Sequence, residues 1–138
     1  MLYSRASVSV GDNSIAIMEP INDGLNSIKI NDQEVGRHKT NYLVSFNGDD
    51  WYYNYTENNK HYLNYNNTIF EVYKEYTVVD IESGNWAFEN LKNNQLYYVV
   101  NGKEFGPFNE DTVFRLLKSG WLEISPKAGG YNIVRHSL

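Results

Sequence analysis

Apolar and polar residues alternate along most of this chain in short runs, and each run ends at a pair of turn-forming residues. The turn pairs are Asp23-Gly24, Asn31-Asp32, Asn47-Gly48, Asn58-Asn59, Asn66-Asn67, Asn93-Asn94 and Asn101-Gly102. Asn, Asp and Gly accept positive φ, so such pairs between alternating segments predict tight hairpins. The pattern predicts strands over 50–56, 60–65 and 68–73, and again over 85–91, 96–100 and 103–108. Residues 42–46, 75–81 and 131–135 read as further strands.

These predicted elements repeat. A shift of 35 carries Trp51, Tyr53, Asn58, Asn59, Tyr62, Asn66 and Phe70 onto Trp86, Phe88, Asn93, Asn94, Tyr97, Asn101 and Phe105. A weaker copy lies toward the N-terminus, where Asp23-Gly24 and Asn31-Asp32 take the two turns and Ile28 to Ile30 the strand between them. Val35-Gly36 there matches Phe105-Gly106. Each unit reads as three strands joined by two tight turns. One such unit cannot bury its own apolar face, so units must stack.

After Phe108 the pattern changes. Asn109 precedes Glu110 and Asp111 as a helix cap followed by first-turn acids, and Val113, Leu116 and Leu117 share a helical stripe. Lys118 suits a last turn and Gly120 a C-terminal stop, which predicts a helix over 110–119. The expected fold is therefore mainly β, α+β overall: an antiparallel meander of roughly 35-residue repeats capped by one C-terminal helix. The expected organisation is one compact domain over 1–138, with repeat units over 10–84 and a third unit plus helical cap over 85–138.

Composition narrows the function classes. Cysteine is absent, which excludes disulfides and thiolate chemistry. The net charge of -5 is spread along the chain and gives no basic footprint for nucleic acid. No apolar run is long enough for a transmembrane helix and no signal sequence is visible, so a cytoplasmic location without membrane contact is expected. Asn numbers 19 and Tyr 12, and eight of the tyrosines lie between Tyr42 and Tyr76. The Asn excess falls at turns and the Tyr excess on strands.

Candidate chemistry is sparse. His38, His61 and His136 are isolated in sequence, Asp49-Asp50 read as a hairpin tip, and Asp80 and Glu82 read as a solvated strand face. No nucleophile elbow or phosphate-binding glycine loop occurs. No enzyme activity, cofactor or metal site is expected.

One segment resembles a known family. Gly106-Pro107-Phe108, four residues, Val113, two residues, Leu116, three residues and Gly120-Trp121-Leu122 match in spacing the signature of the GYF-type adaptor domain. The resemblance spans 97–122. The family has Trp where this chain has Leu116, Tyr-Phe where it has Trp121-Leu122, and a leading Trp where it has Leu96. The resemblance implies binding of a proline-rich peptide on an aromatic surface.

The expected function is a non-enzymatic protein- or peptide-binding module using aromatic strand surfaces. Trp51, Tyr53, Tyr55, Tyr97, Phe108 and Trp121 are the candidate binding residues. One alternative is a small-ligand binder with a Tyr- and Asn-lined pocket between repeats or protomers. Another is a structural repeat that forms a homo-oligomer through its strand edges.

Overall fold

The structure, a computed structural model, describes residues 6–138. The chain divides into two compact units, Met1–Thr77 and Val78–Leu138. Every sheet in both is antiparallel, and strand follows strand in chain order almost throughout.

The first unit holds two sheets. In one, β1 (Ser7–Val10), β2 (Ile15–Pro20), β3 (Asn26–Ile30) and β4 (Gln33–His38) form a meander, with a single 3-10 turn at Asn22–Gly24. In the other, β5 (Thr40–Asn41) and β6 (Ser45–Asn47) both pair with β7 (Asp50–Glu57). That sheet continues through β8 (Lys60–Tyr65) and β9 (Thr68–Val72). Ala16, Ile28 and Ile30 from the first sheet pack with Val44, Trp51, Tyr53 and Tyr55 from the second. The opposite face of β7 is also covered: Asn54 is buried and exchanges two hydrogen bonds with the backbone of Thr77. Both faces of β7 are thus occupied, with Trp51, Tyr53 and Tyr55 on one and Tyr52 and Asn54 on the other.

The second unit holds β10 (Asp80–Glu82), β11 (Asn85–Lys92), β12 (Gln95–Val100) and β13 (Lys103–Phe108) in one sheet. A second sheet is made of β14 (Val113–Leu116), β15 (Gly120–Lys127) and β16 (Gly130–Ser137). Its core is Ala87, Leu96, Tyr98, Val100, Phe114, Leu116 and Trp121.

The expected C-terminal helix is not formed, and the α+β assignment is corrected to an all-β one. Residues 113–116 are strand β14, whose burial alternates with period two: Phe114 and Leu116 are buried, Val113 and Arg115 exposed. The Asn109 carbonyl accepts from the Thr112 N–H at 3.0 Å and closes a turn rather than capping a helix. The Leu117 N–H donates to the Gly120 carbonyl at 2.8 Å, which makes Lys118-Ser119 a two-residue hairpin loop. Phe114 stacks on Tyr98 at 4.4 Å between ring centroids and Trp121 packs beside it. This long-range aromatic packing outweighs a weak local helical preference. Gly120 is needed for close approach: a Cβ there would run into the His136 carbonyl oxygen.

The turn pairs adopt the backbone their residues suggest. Asn31, Asn58, Asn66, Asn93 and Asn101 all have positive φ, near 50°. Asn47 differs; it ends β6, and Gly48 takes the positive φ. A hydrogen-bonded bracket recurs in the three sequence repeats. The side-chain oxygens of Asn31, Asn66 and Asn101 accept from the backbone N–H of Ile15, Trp51 and Trp86 at 3.0, 2.9 and 3.0 Å. In return the three Asn N–H groups donate to the Ile15, Trp51 and Trp86 carbonyls at 2.9, 2.9 and 2.8 Å. Each Asn amide also donates to the residue before: Ser14 at 3.4 Å, Asp50 at 2.8 Å and Asn85 at 3.3 Å. One side chain thus fixes a turn and ties it to the opening of the unit's first strand.

Candidate binding surface

The six residues singled out in the sequence fall three to each unit. Trp51, Tyr53 and Tyr55 point into the core of the first unit, at 8%, 1% and 5% exposure. Tyr53 and Tyr55 enclose His38, whose ring stacks on Tyr55 at 3.8 Å between centroids. The His38 Nε2 lies 2.9 Å from the Tyr53 hydroxyl, which also accepts from the Asn64 amide. Burial lowers the His38 pKa and pushes the Tyr53 hydroxyl up to about 12. Gly36 makes this packing possible, since a side chain there would collide with both the Tyr53 hydroxyl and the His38 ring.

In the second unit Trp121 is fully buried. It is surrounded by Phe105, Phe108, Phe114 and Tyr98, with His136 stacked on it at 3.9 Å. The His136 Nε2 lies 2.9 Å from the Glu123 carboxylate. Phe108 is half-buried against that cluster, and Tyr97 is half-exposed with the Lys92 ammonium 4.7 Å from its ring centroid. Five of the six candidates are therefore part of the packing inside their own unit.

The acidic candidates serve the scaffold. Asp49 accepts from the Asn13 N–H at 2.6 Å, and Asp50 belongs to the Asn66 bracket. Asp80 accepts from the Tyr98 hydroxyl at 3.3 Å, and burial raises its pKa. Among the described residues no group of three or more His, Asp or Glu side chains could hold a metal ion. Nor is any helix among them long and apolar enough to cross a membrane.

Open clefts indent the surface of the described residues. One of about 440 Å³ is lined by Lys39, Thr56, Glu57 and Asn58 among others, and one of about 380 Å³ by Lys103, Phe105 and Trp121 among others. A third of about 310 Å³ brings Arg115 beside Asp80 and Glu82. No tyrosine lines any of the three.

One apolar surface is the outer face of the β14–β16 sheet. Side chains alternate across a sheet, so the strand faces opposite Phe114, Trp121 and His136 carry Val113, Leu122, Ile124, Tyr131 and Ile133. Val113, Ile124 and Ile133 lie side by side in register, and Arg115, Leu122 and Arg135 form the adjacent row. Val113, Tyr131 and Ile133 are 59%, 68% and 62% exposed. The sequence carried a signal for this face, namely the alternation Tyr131, Ile133, Arg135. Reading 110–119 as a helix hid it, because β14 was then missing from the sheet. No protein-family model, curated protein or solved structure matches the chain.

Proposed function

We propose that the chain is a non-enzymatic protein-binding module that receives a segment of another protein on the outer face of the β14–β16 sheet. The supporting observation is the contiguous row of exposed Val113, half-buried Ile124 and exposed Ile133, with exposed Tyr131 beside it. Covering one such side chain is worth on the order of 1–2 kcal/mol, so burying this row supplies useful affinity. Tyr and Arg, both present on this face, are enriched at the residues that carry binding energy in interaction surfaces.

The test is quantitative capture from native lysate with the wild-type chain and with the double variant Val113→Thr, Ile133→Thr. Both changes keep β-branched residues on exposed strand positions, so circular dichroism should stay native. A defined set of proteins retained by the wild type and lost from the variant is the expected result. The same proteins on both would refute the assignment of the face.

A further inference from the structure

The strand at the edge of this face lacks the devices that blunt two other meander edges, and at eight residues it is longer than β9, the five-residue edge that also pairs in unbroken register. β4 carries a register shift opposite Ile28 and Lys29, and β13 one opposite Leu96 to Tyr98 together with Pro107. Bulges and proline are the ordinary means of preventing an edge from pairing with another chain. β16 has neither. Its eight residues pair with β15 in unbroken register from Lys127↔Gly130 to Gly120↔Ser137. Among the described residues no other strand pairs with it.

The hairpin fixes which backbone groups are free. Ala128-Gly129 is a two-residue loop, so Lys127 and Gly130 face each other as a bonded pair. Bonded positions then recur at Asn132, Val134 and His136, facing β15. The N–H and C=O of Tyr131, Ile133 and Arg135 point outward. These same three residues put their side chains on the apolar outer face.

Charge selects the occupant. The segment 113–138 carries Arg115, Lys118, Lys127 and Arg135 against the single acid Glu123, in a chain whose net charge is -5. Glu123 is engaged by His136 on the core side. Arg115 shares its cleft with Asp80 and Glu82, whereas Arg135 has no ion-pair partner among the described residues and donates only to the Ser119 hydroxyl, at 3.2 Å. A second copy paired antiparallel about Ile133 would set Arg135 opposite Tyr131 and bring two basic sheets together. An acidic strand meets both needs.

Resting on the binding-module reading above, we infer that β16 is extended by an antiparallel strand of a partner protein with the pattern acid–x–apolar–x–apolar. Its acid lies opposite Arg135 and its two apolar residues lie opposite Ile133 and Tyr131. Main-chain bonds supply affinity and the Arg135 pairing supplies selectivity.

The probe is the capped peptide Thr-Glu-Thr-Val-Thr-Ile-Thr, labelled and titrated with the full chain by fluorescence anisotropy. Saturable binding is expected. N-methylation of its Val, whose N–H faces β16, removes a bonded pair and should weaken binding roughly ten- to a hundredfold. N-methylation of the Thr between Glu and Val, whose N–H faces away, should leave affinity within about twofold, since no bond to β16 is lost. Arg135→Glu should weaken the Glu peptide and favour its Lys counterpart. Equal loss from both methylations, no loss from either, or no saturable binding would overturn the edge-strand assignment. So would a dimer by light scattering that Ile133→Pro converts to monomer. Failure of this proposal is separable from failure of the module reading: lysate proteins lost from the Val113→Thr, Ile133→Thr variant but held by Arg135→Pro, which blocks an outward N–H and leaves the Val113, Ile124 and Ile133 row intact, would leave the face as the binding site and exclude strand addition.

Discussion

Placing a carboxylate into the Asn bracket tests the repeat most sharply, because the three brackets are alike except in one neighbour. Asn66→Asp and Asn101→Asp each keep an oxygen to accept the Trp51 or Trp86 N–H, and each keeps a residue tolerant of the observed positive φ. At Asn66 the amide donates to the Asp50 carboxylate at 2.8 Å; at Asn101 it donates to the neutral Asn85 amide at 3.3 Å. Asn66→Asp therefore replaces a charge-assisted bond with two facing carboxylates. Like charges about 4 Å apart at a solvated site repel by about 1 kcal/mol, and the lost bond adds about 1 kcal/mol more. Asn101→Asp loses one neutral bond, about 1 kcal/mol, with no charge repulsion. Urea unfolding followed by tryptophan fluorescence should give about 2 kcal/mol for the first variant and about 1 for the second. Only the first should recover in high salt or at acid pH. Equal, salt-independent losses would refute the bracket as the element that the repeats share.

Three further outcomes follow from the buried groups. Trp121→Ala removes the side chain at the centre of the second unit's aromatic cluster and should cost about 3–5 kcal/mol, read as a lowered urea midpoint. Burial raises Tyr53 and Tyr65 from their ordinary 10.0 to about 12, so both should ionise late in an alkaline absorbance titration, with Tyr98, held still higher by burial and the neighbouring Asp80 carboxylate, last of all. Because the neutral phenol is the form favoured by folding, that stabilisation is complete below pH 10 and is lost as pH rises toward 12. For His38 the sign is opposite: burial lowers its pKa from 6.5, so its contribution is complete above that value and is lost as pH falls through the lowered one. Its imidazole resonances should titrate below 6.5, while stability declines on the acid side.

The turns were legible because Asn and Gly encode positive φ locally; Asn66-Asn67 and Asn101-Gly102 need no distant information to bend the chain. The bracket was not legible, since its acceptor serves an N–H fifteen residues away. The segment 110–119 misled for a different reason. Val113, Leu116 and Leu117 fit a helical stripe, but Phe114 and Leu116 equally fit a strand, and a run this short does not decide between them. The choice was made by Tyr98, Trp121 and the approach of Gly120 to His136, all contacts distant in sequence. Aromatic density on both faces of a strand fits a sheet covered on both sides as well as an exposed aromatic surface. Tyr on both faces of β7 reflects a sheet covered twice, and the free apolar face is built from aliphatic residues and Tyr131 instead.

Residue-resolved amide exchange of the full chain, with and without the acidic strand peptide, tests the binding account most directly. In the free protein the amides of Asn132, Val134 and His136 should be protected by β15, and those of Tyr131, Ile133 and Arg135 should exchange quickly. The account predicts that the peptide slows exchange at Tyr131, Ile133 and Arg135 and leaves the other three unchanged. Unaltered exchange along β16 at saturating peptide, or protection confined to another strand, would contradict it.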